Sequence, residues 1–135
     1  IFLDYRNEPL LNDRHSIIYG HDLRNGSMFG QLYQFGDQSF AEENRHFTID
    51  IGNEQLLLEV FAAYETTTDF YYIETEFTNE SFEQFIKTIK KKSVITFNEI
   101  INRSDQIITL STCVSDSGSD ERFVVHAKVV ERNEI

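Results

Sequence analysis

The sequence predicts a mostly β fold with peripheral helices, an open or closed β-barrel, and three observations carry that prediction. Several segments alternate apolar and polar residues with a period of two. Only one long segment carries a helical apolar stripe. Polar stretches containing Gly, Asn or Ser punctuate the runs. Many strands with few helices fit a barrel with helices on its periphery. The length, 135 residues, fits a single domain over 1–135. Hydrophobic residues make up 40% of it, with 12 Phe and 6 Tyr, enough to build a core.

In chain order, Ile1-Phe2-Leu3-Asp4-Tyr5 reads as the middle of a strand, so an earlier segment is expected to be missing. The only Pro, Pro9, lies in the turn-like Arg6-Asn7-Glu8-Pro9. Ser16-Ile17-Ile18-Tyr19-Gly20-His21 reads as a strand and Asp22 to Gly26 as a polar loop. Ser27 is expected to cap a short helix with Met28, Leu32 and Phe35 on one side. Ser39 to Asn44 reads as a further helical turn. His46 to Ile51 alternates, with Phe47, Ile49 and Ile51 on one face, and Gly52-Asn53 marks a turn. Leu56 to Thr68 is a long strand, rich in strand formers toward its end. Asp69 to Phe77 is aromatic and less regular.

Ser81 to Lys92 is the clearest helix, because Phe82, Phe85, Ile86 and Ile89 form one apolar stripe. Ser81 with Gln84 resembles a capping box, with Asn79 the other candidate cap. Lys90, Lys91 and Lys92 fall where the helix dipole favours cations. Gln106 to Cys113 and Arg122 to Glu131 alternate as two closing strands, separated by the loop Val114 to Glu121.

Charge narrows the function classes. The net charge is -11 and the only basic cluster is Lys90-Lys91-Lys92, so a nucleic-acid partner is not expected. An anionic membrane surface would repel the chain as a whole. The single Cys allows neither an internal disulfide nor a zinc ribbon. The acidic residues show no calcium-loop spacing, and Asp116, Asp120 and Glu121 read as a solvated loop, so no metal or cofactor is expected.

Cys113 ends a strand just before a flexible loop, a rigid and accessible place. It reads either as an inert small hydrophobe or as a nucleophile, and a nucleophilic thiol needs a cationic neighbour to ionise at neutral pH. Arg122 opens the next strand and returns beside Cys113 if the two strands form a hairpin. There it would stabilise a thiolate or an oxyanion. The pattern alone favours the other reading, an ordinary surface Arg answering Asp116, Asp120 or Glu121. An imidazole is also required. His15, in a polar turn, and His46, opening a strand, are expected to face solvent. His126 lies inside the last strand on the Arg122 face and reads as structural. His21 ends a strand before a polar loop, as Cys113 does, and is the best placed of the four.

Together these residues resemble the signatures of the sortase family, in order. They are Ile18-Tyr19-Gly20-His21, then Met28-Phe29, then Thr109-Leu110-Ser111-Thr112-Cys113, then Arg122-Phe123-Val124-Val125-His126. The helix Ser81 to Lys92, between the family's sixth and seventh strands, resembles class B in particular, as does Phe61 to Thr68. The resemblance runs from Ile1 to about Val130. It implies a sortase-type β-barrel, with His21 as the catalytic His, Cys113 as the nucleophile and Arg122 as the essential Arg. Thr68, Tyr72, Ile73 and Ser111 match positions lining the sorting-signal groove; Asp116 matches a family acidic position less well, because Val114 and Ser115 intervene.

The same resemblance implies a cysteine transpeptidase that cuts an Asn-Pro-x-Thr-type signal after Thr. Its partners would be surface proteins bearing that signal and a lipid-linked peptidoglycan precursor whose amine accepts the acyl group. It also implies a place on the extracellular face of a Gram-positive cell membrane, through an N-terminal anchor. Class B members carry N-terminal helices and two further strands before the segment matching Ile1, so an incomplete barrel with exposed edges is expected. Three rival readings remain: a hydrolytic cysteine peptidase, a β-barrel binding module with an incidental thiol, and an inactive sortase-like fragment.

Overall fold

Period-two alternation becomes one six-stranded sheet in a computed structural model, which describes residues 2–3, 14–21, 32–67, 77–98, 100–113 and 121–134. The strands are β1 (Phe2–Leu3), β2 (His15–His21), β3 (His46–Ile51), β4 (Glu54–Thr67), β5 (Ile107–Cys113) and β6 (Glu121–Glu134). Their order across the sheet is β1-β2-β5-β6-β4-β3. The β2–β5 pair is parallel and the other pairs are antiparallel. The β3–β4 hairpin turns at Gly52-Asn53, where Gly52 takes φ 58, a left-handed conformation that glycine adopts without steric cost. Register shifts at Leu57/Leu58 and Val60/Ala62 bend β4 and curl the sheet.

Alternation sends neighbouring residues to opposite faces, and each face has its own core. On one face Leu56, Leu58, Val60, Ile108, Val125 and Ala127 pack together. A 3-10 helix (Leu32–Gly36) and helix α1 (Gln38–Glu43) supply Leu32 and Ala41 to that face. On the other face Phe61, Tyr64, Ile107 and Val124 meet the stripe Phe82, Phe85, Ile86 and Ile89 of α2 (Asn79–Lys92).

The expected helix after Ser27 corresponds, among the described residues, to the short 3-10 turn Leu32–Gly36, while Ser27 to Gln31 lie outside them. The cap of α2 differs from both sequence candidates. Thr78 is the N-cap, with an extended backbone at φ -80 and ψ 170. Its hydroxyl accepts from the Ser81 amide at 3.0 Å, and Ser81 Oγ accepts from the Thr78 amide at 2.9 Å. Asn79 and Ser81 are already helical, and a cap needs a non-helical backbone.

Both ends of α2 are fixed to the sheet. Arg14, just before β2, donates to Thr78 O at 3.4 Å and Asn79 Oδ1 at 3.2 Å and lies over the Phe82 ring. Ser93, after the last turn, accepts from the Ala63 amide of β4 at 3.0 Å, and the Val94 amide donates to Ala63 O at 2.8 Å. Among the described residues no helix is long and apolar enough to cross a membrane.

Candidate active site

The parallel ladder between β2 and β5 runs from His15↔Ile107 to His21↔Cys113. The two strand-end residues singled out by placement are therefore paired backbone positions, although they lie far apart in sequence. On the other side of β5, the antiparallel ladder to β6 pairs Ile107↔Lys128 through Ser111↔Val124. Carried one further step of two residues, that register sets Cys113 opposite Arg122. Beyond the last ladder pair the strands stay joined, because Thr112 Oγ1 accepts from the Phe123 amide at 2.9 Å. Arg122 is half-buried and pairs in register with Thr66 of β4.

Positions 21, 113 and 122 thus lie on three adjacent strands at one end of the sheet. Ser111, two residues before Cys113 on the same face, is fully buried, and its hydroxyl donates to Thr112 O at 3.3 Å. The other groove candidates, Thr68, Tyr72 and Ile73, lie outside the described residues, as does Asp116. Among the described residues no group of three or more His, Cys, Asp or Glu could hold a metal ion.

One expectation is overturned. His15 does not face solvent: it is 0% exposed, whereas His46 is exposed and lies 3.5 Å from Glu59. The polar stretch before His15 suggested a turn, but β2 begins at His15 and carries its ring under α2. The ring centroid sits 5.1 Å from that of Phe85. Nε2 of His15 lies 2.6 Å from Thr109 Oγ1, which lies 2.6 Å from His126 Nδ1. His126 Nε2 in turn lies 2.7 Å from the Tyr64 hydroxyl. All four residues are essentially sealed from solvent. Sequence reasoning missed this chain. Its only signal is a polar residue at alternating positions inside otherwise apolar strands.

Burial pushes the His126 ring well below the ordinary 6.5, and the neighbouring His15 pushes the same way. Among the described residues, the aromatic groups packed against the ring besides His15 are Tyr64, Phe61 and Phe85, and none is anionic. A depressed folded-state value means that, below pH 6.5, the unfolded chain binds a proton that the folded chain refuses. The stability that His126 contributes is complete above 6.5 and is lost as pH falls toward the folded value, at up to about 1.4 kcal/mol per pH unit. Urea midpoints are expected to fall between pH 7 and pH 5, and His126→Phe should flatten that slope. Equal slopes in the two proteins would contradict the assignment.

Comparison with known proteins places the chain in a family. The family described as Sortase domain matches residues 1–130. Sortase B of Listeria monocytogenes is 42% identical over 134 residues, covering 98% of this chain and 54% of the relative. Sortase B of Staphylococcus aureus is 38% identical over 133 residues, covering 97% of this chain and 54% of the relative. A solved Staphylococcus aureus sortase B–substrate complex superimposes with a TM-score of 0.90 at 38% identity, covering 96% of this chain and 61% of that one. The chain spans about half the length of the curated relatives it matches.

Proposed function

The chain belongs to the sortase family, on its class B branch, and from that premise we propose that it forms the catalytic part of a cysteine transpeptidase acting on a sorting signal of the Asn-Pro-x-Thr type. The observation that carries this reading is the pairing of His21 with Cys113 in adjacent parallel strands, with Arg122 opening the strand on the other side of β5. A nucleophile, a proton carrier and a fixed cation then share one end of one sheet. That is the minimum set for acyl transfer through a thioester.

In this reading the Cys113 thiolate attacks the Thr carbonyl carbon. The developing oxyanion is held by Arg122 and backbone amides. The tetrahedral intermediate collapses by breaking the C–N bond, and His21 as imidazolium gives its proton to the departing amine. A thioacyl enzyme remains. The acceptor amine then attacks it, His21 takes the proton back, and the thiolate leaves. The acceptor we assign is the amine of a lipid-linked peptidoglycan precursor. Surface proteins bearing the signal are the donors, and Thr68, Tyr72, Ile73 and Ser111 are the residues we assign to recognising it. The curated relatives come from Gram-positive bacteria. The matching location is the outer face of the cell membrane, reached through an N-terminal anchor.

The test uses the full-length protein and an Asn-Pro-x-Thr peptide. Intact-mass measurement is expected to find the acyl group on Cys113, and an added amine acceptor should raise turnover. A protein that hydrolyses the peptide at one rate with or without amine would be a peptidase instead. One that forms no adduct, and whose Cys113 resists alkylation, would be the binding module.

A further inference from the structure

The buried chain under α2 crosses the sheet in strand order. His15 is on β2, Thr109 on β5, His126 on β6 and Tyr64 on β4, and these four strands are consecutive neighbours. Three hydrogen bonds of 2.6, 2.6 and 2.7 Å therefore join four strands side chain to side chain, independently of the backbone ladders. Three of these strands, β2, β5 and β6, carry the candidate catalytic positions, and β4 pairs with β6 beside them. Three members stand an even number of residues from one of those positions, Thr109 before Cys113, His126 after Arg122 and His15 before His21, and Tyr64 stands two residues before Thr66, the register partner of Arg122. Even spacing within a strand keeps the face, so the chain lies on the face that holds those positions.

We infer that His15, Thr109, His126 and Tyr64 are positioning residues, a lateral tie that sets the spacing of the strand ends holding His21, Cys113 and Arg122. This rests on the proposed function for the roles of those three residues. Backbone ladders fix register along a strand, but neighbouring strands still splay and twist relative to one another over a broad range. Acyl transfer tolerates far less: a displacement of about 1 Å costs on the order of 100-fold in rate.

The bonding of the chain is directional. A neutral imidazole has one N–H, so His126 donates on one side and accepts on the other. Thr109, with a single hydroxyl proton, links the two rings, so deleting any member takes a hydrogen-bond partner from a buried hydroxyl or ring nitrogen. α2 covers the chain through Phe85, which keeps water from substituting for a lost bond.

The experiment compares Thr109→Val, Thr109→Ser and Tyr64→Phe in the full-length protein, well below the melting temperature. Three quantities are read: kcat and KM for the sorting peptide, and the pH midpoint for alkylation of Cys113 by iodoacetamide. Thr109→Val is expected to lower kcat by about 10- to 100-fold with KM changed less than about twofold. It should also move the alkylation midpoint to higher pH, because displaced cations stabilise the thiolate less. Thr109→Ser, which keeps the hydroxyl, should restore kcat and the midpoint. A Thr109→Val protein that melts lower yet keeps the wild-type kcat and midpoint would reduce the chain to a structural role and overturn the inference. If Thr109→Val does not fold, Tyr64→Phe decides, since it keeps the ring and breaks the terminal bond of the chain: a smaller shift in the same direction supports the tie, and wild-type values overturn it. The alkylation measurement needs no peptide, so it tests the tie even if the wild-type protein forms no thioacyl adduct, a result that would defeat the proposed function alone.

Discussion

Cys113→Ala is expected to abolish the thioacyl adduct and to lower peptide cleavage by at least about 10,000-fold, the largest effect of any single substitution here. Loss of a covalent nucleophile removes the whole chemical route, and its cost in comparable acyl-transfer enzymes reaches roughly a million-fold. Within these 135 residues no second thiol can take over, because Cys113 is their only Cys. Alanine suits the end of β5: it leaves the backbone pairing with His21 intact and removes only the sulfur. Loss of activity would thus report on chemistry rather than on folding, and a melting temperature within a few degrees of wild type would show it. The measurement is intact mass after incubation with the peptide, together with the rate of peptide loss. A variant that still cleaves the peptide at a substantial fraction of the wild-type rate would move the nucleophile elsewhere.

The strands and the long helix were legible because each carries a local period. His46 to Ile51 and the strands ending at Cys113 and beginning near Arg122 alternate, and Phe82, Phe85, Ile86 and Ile89 repeat as one helical stripe. What a local pattern does not encode is partnership. Alternation assigns Ser111 and Cys113 to one face of a strand, but nothing in it says that β2, from the start of the chain, lies parallel to β5. That pairing turns two strand-end residues into neighbours, so placement could nominate His21 and Cys113 but not join them.

His15 failed for a related reason. Its neighbours on one side, Asn12-Asp13-Arg14, have turn composition, and a ring at such a boundary looks exposed. Its burial comes from α2, which packs over the strand from more than sixty residues away, with Arg14 holding the N-terminus of the helix in place. The same long-range contact hid the His15–Thr109–His126–Tyr64 chain, since each bond in it joins residues from different strands. The cap of α2 was misplaced for a local reason: Thr78, Asn79 and Ser81 are all capping types, and only backbone conformation chooses among them.

Arg122→Lys is expected to lower kcat/KM by about 100- to 1000-fold, the usual cost of losing one oxyanion donor, while leaving the fold unchanged. The position is structurally tolerant: Arg122 is half-buried at the start of β6, and its backbone is fixed by pairing with Thr66. Lysine keeps the charge and most of the length, so the substitution separates two roles. If Arg122 supplied only a positive field to lower the Cys113 pKa, lysine would do nearly as well, and the loss would stay within about tenfold. If it holds an oxyanion through donors of fixed direction, a flexible ammonium cannot replace the planar fork of the guanidinium. The loss should then appear in kcat more than in KM, since the oxyanion exists only past the ground state. The alkylation midpoint of Cys113 separates the two again, because it depends on the field alone. A near-wild-type midpoint with a collapsed kcat would assign Arg122 to the oxyanion, whereas retention of most of kcat would return it to the role of a nearby charge.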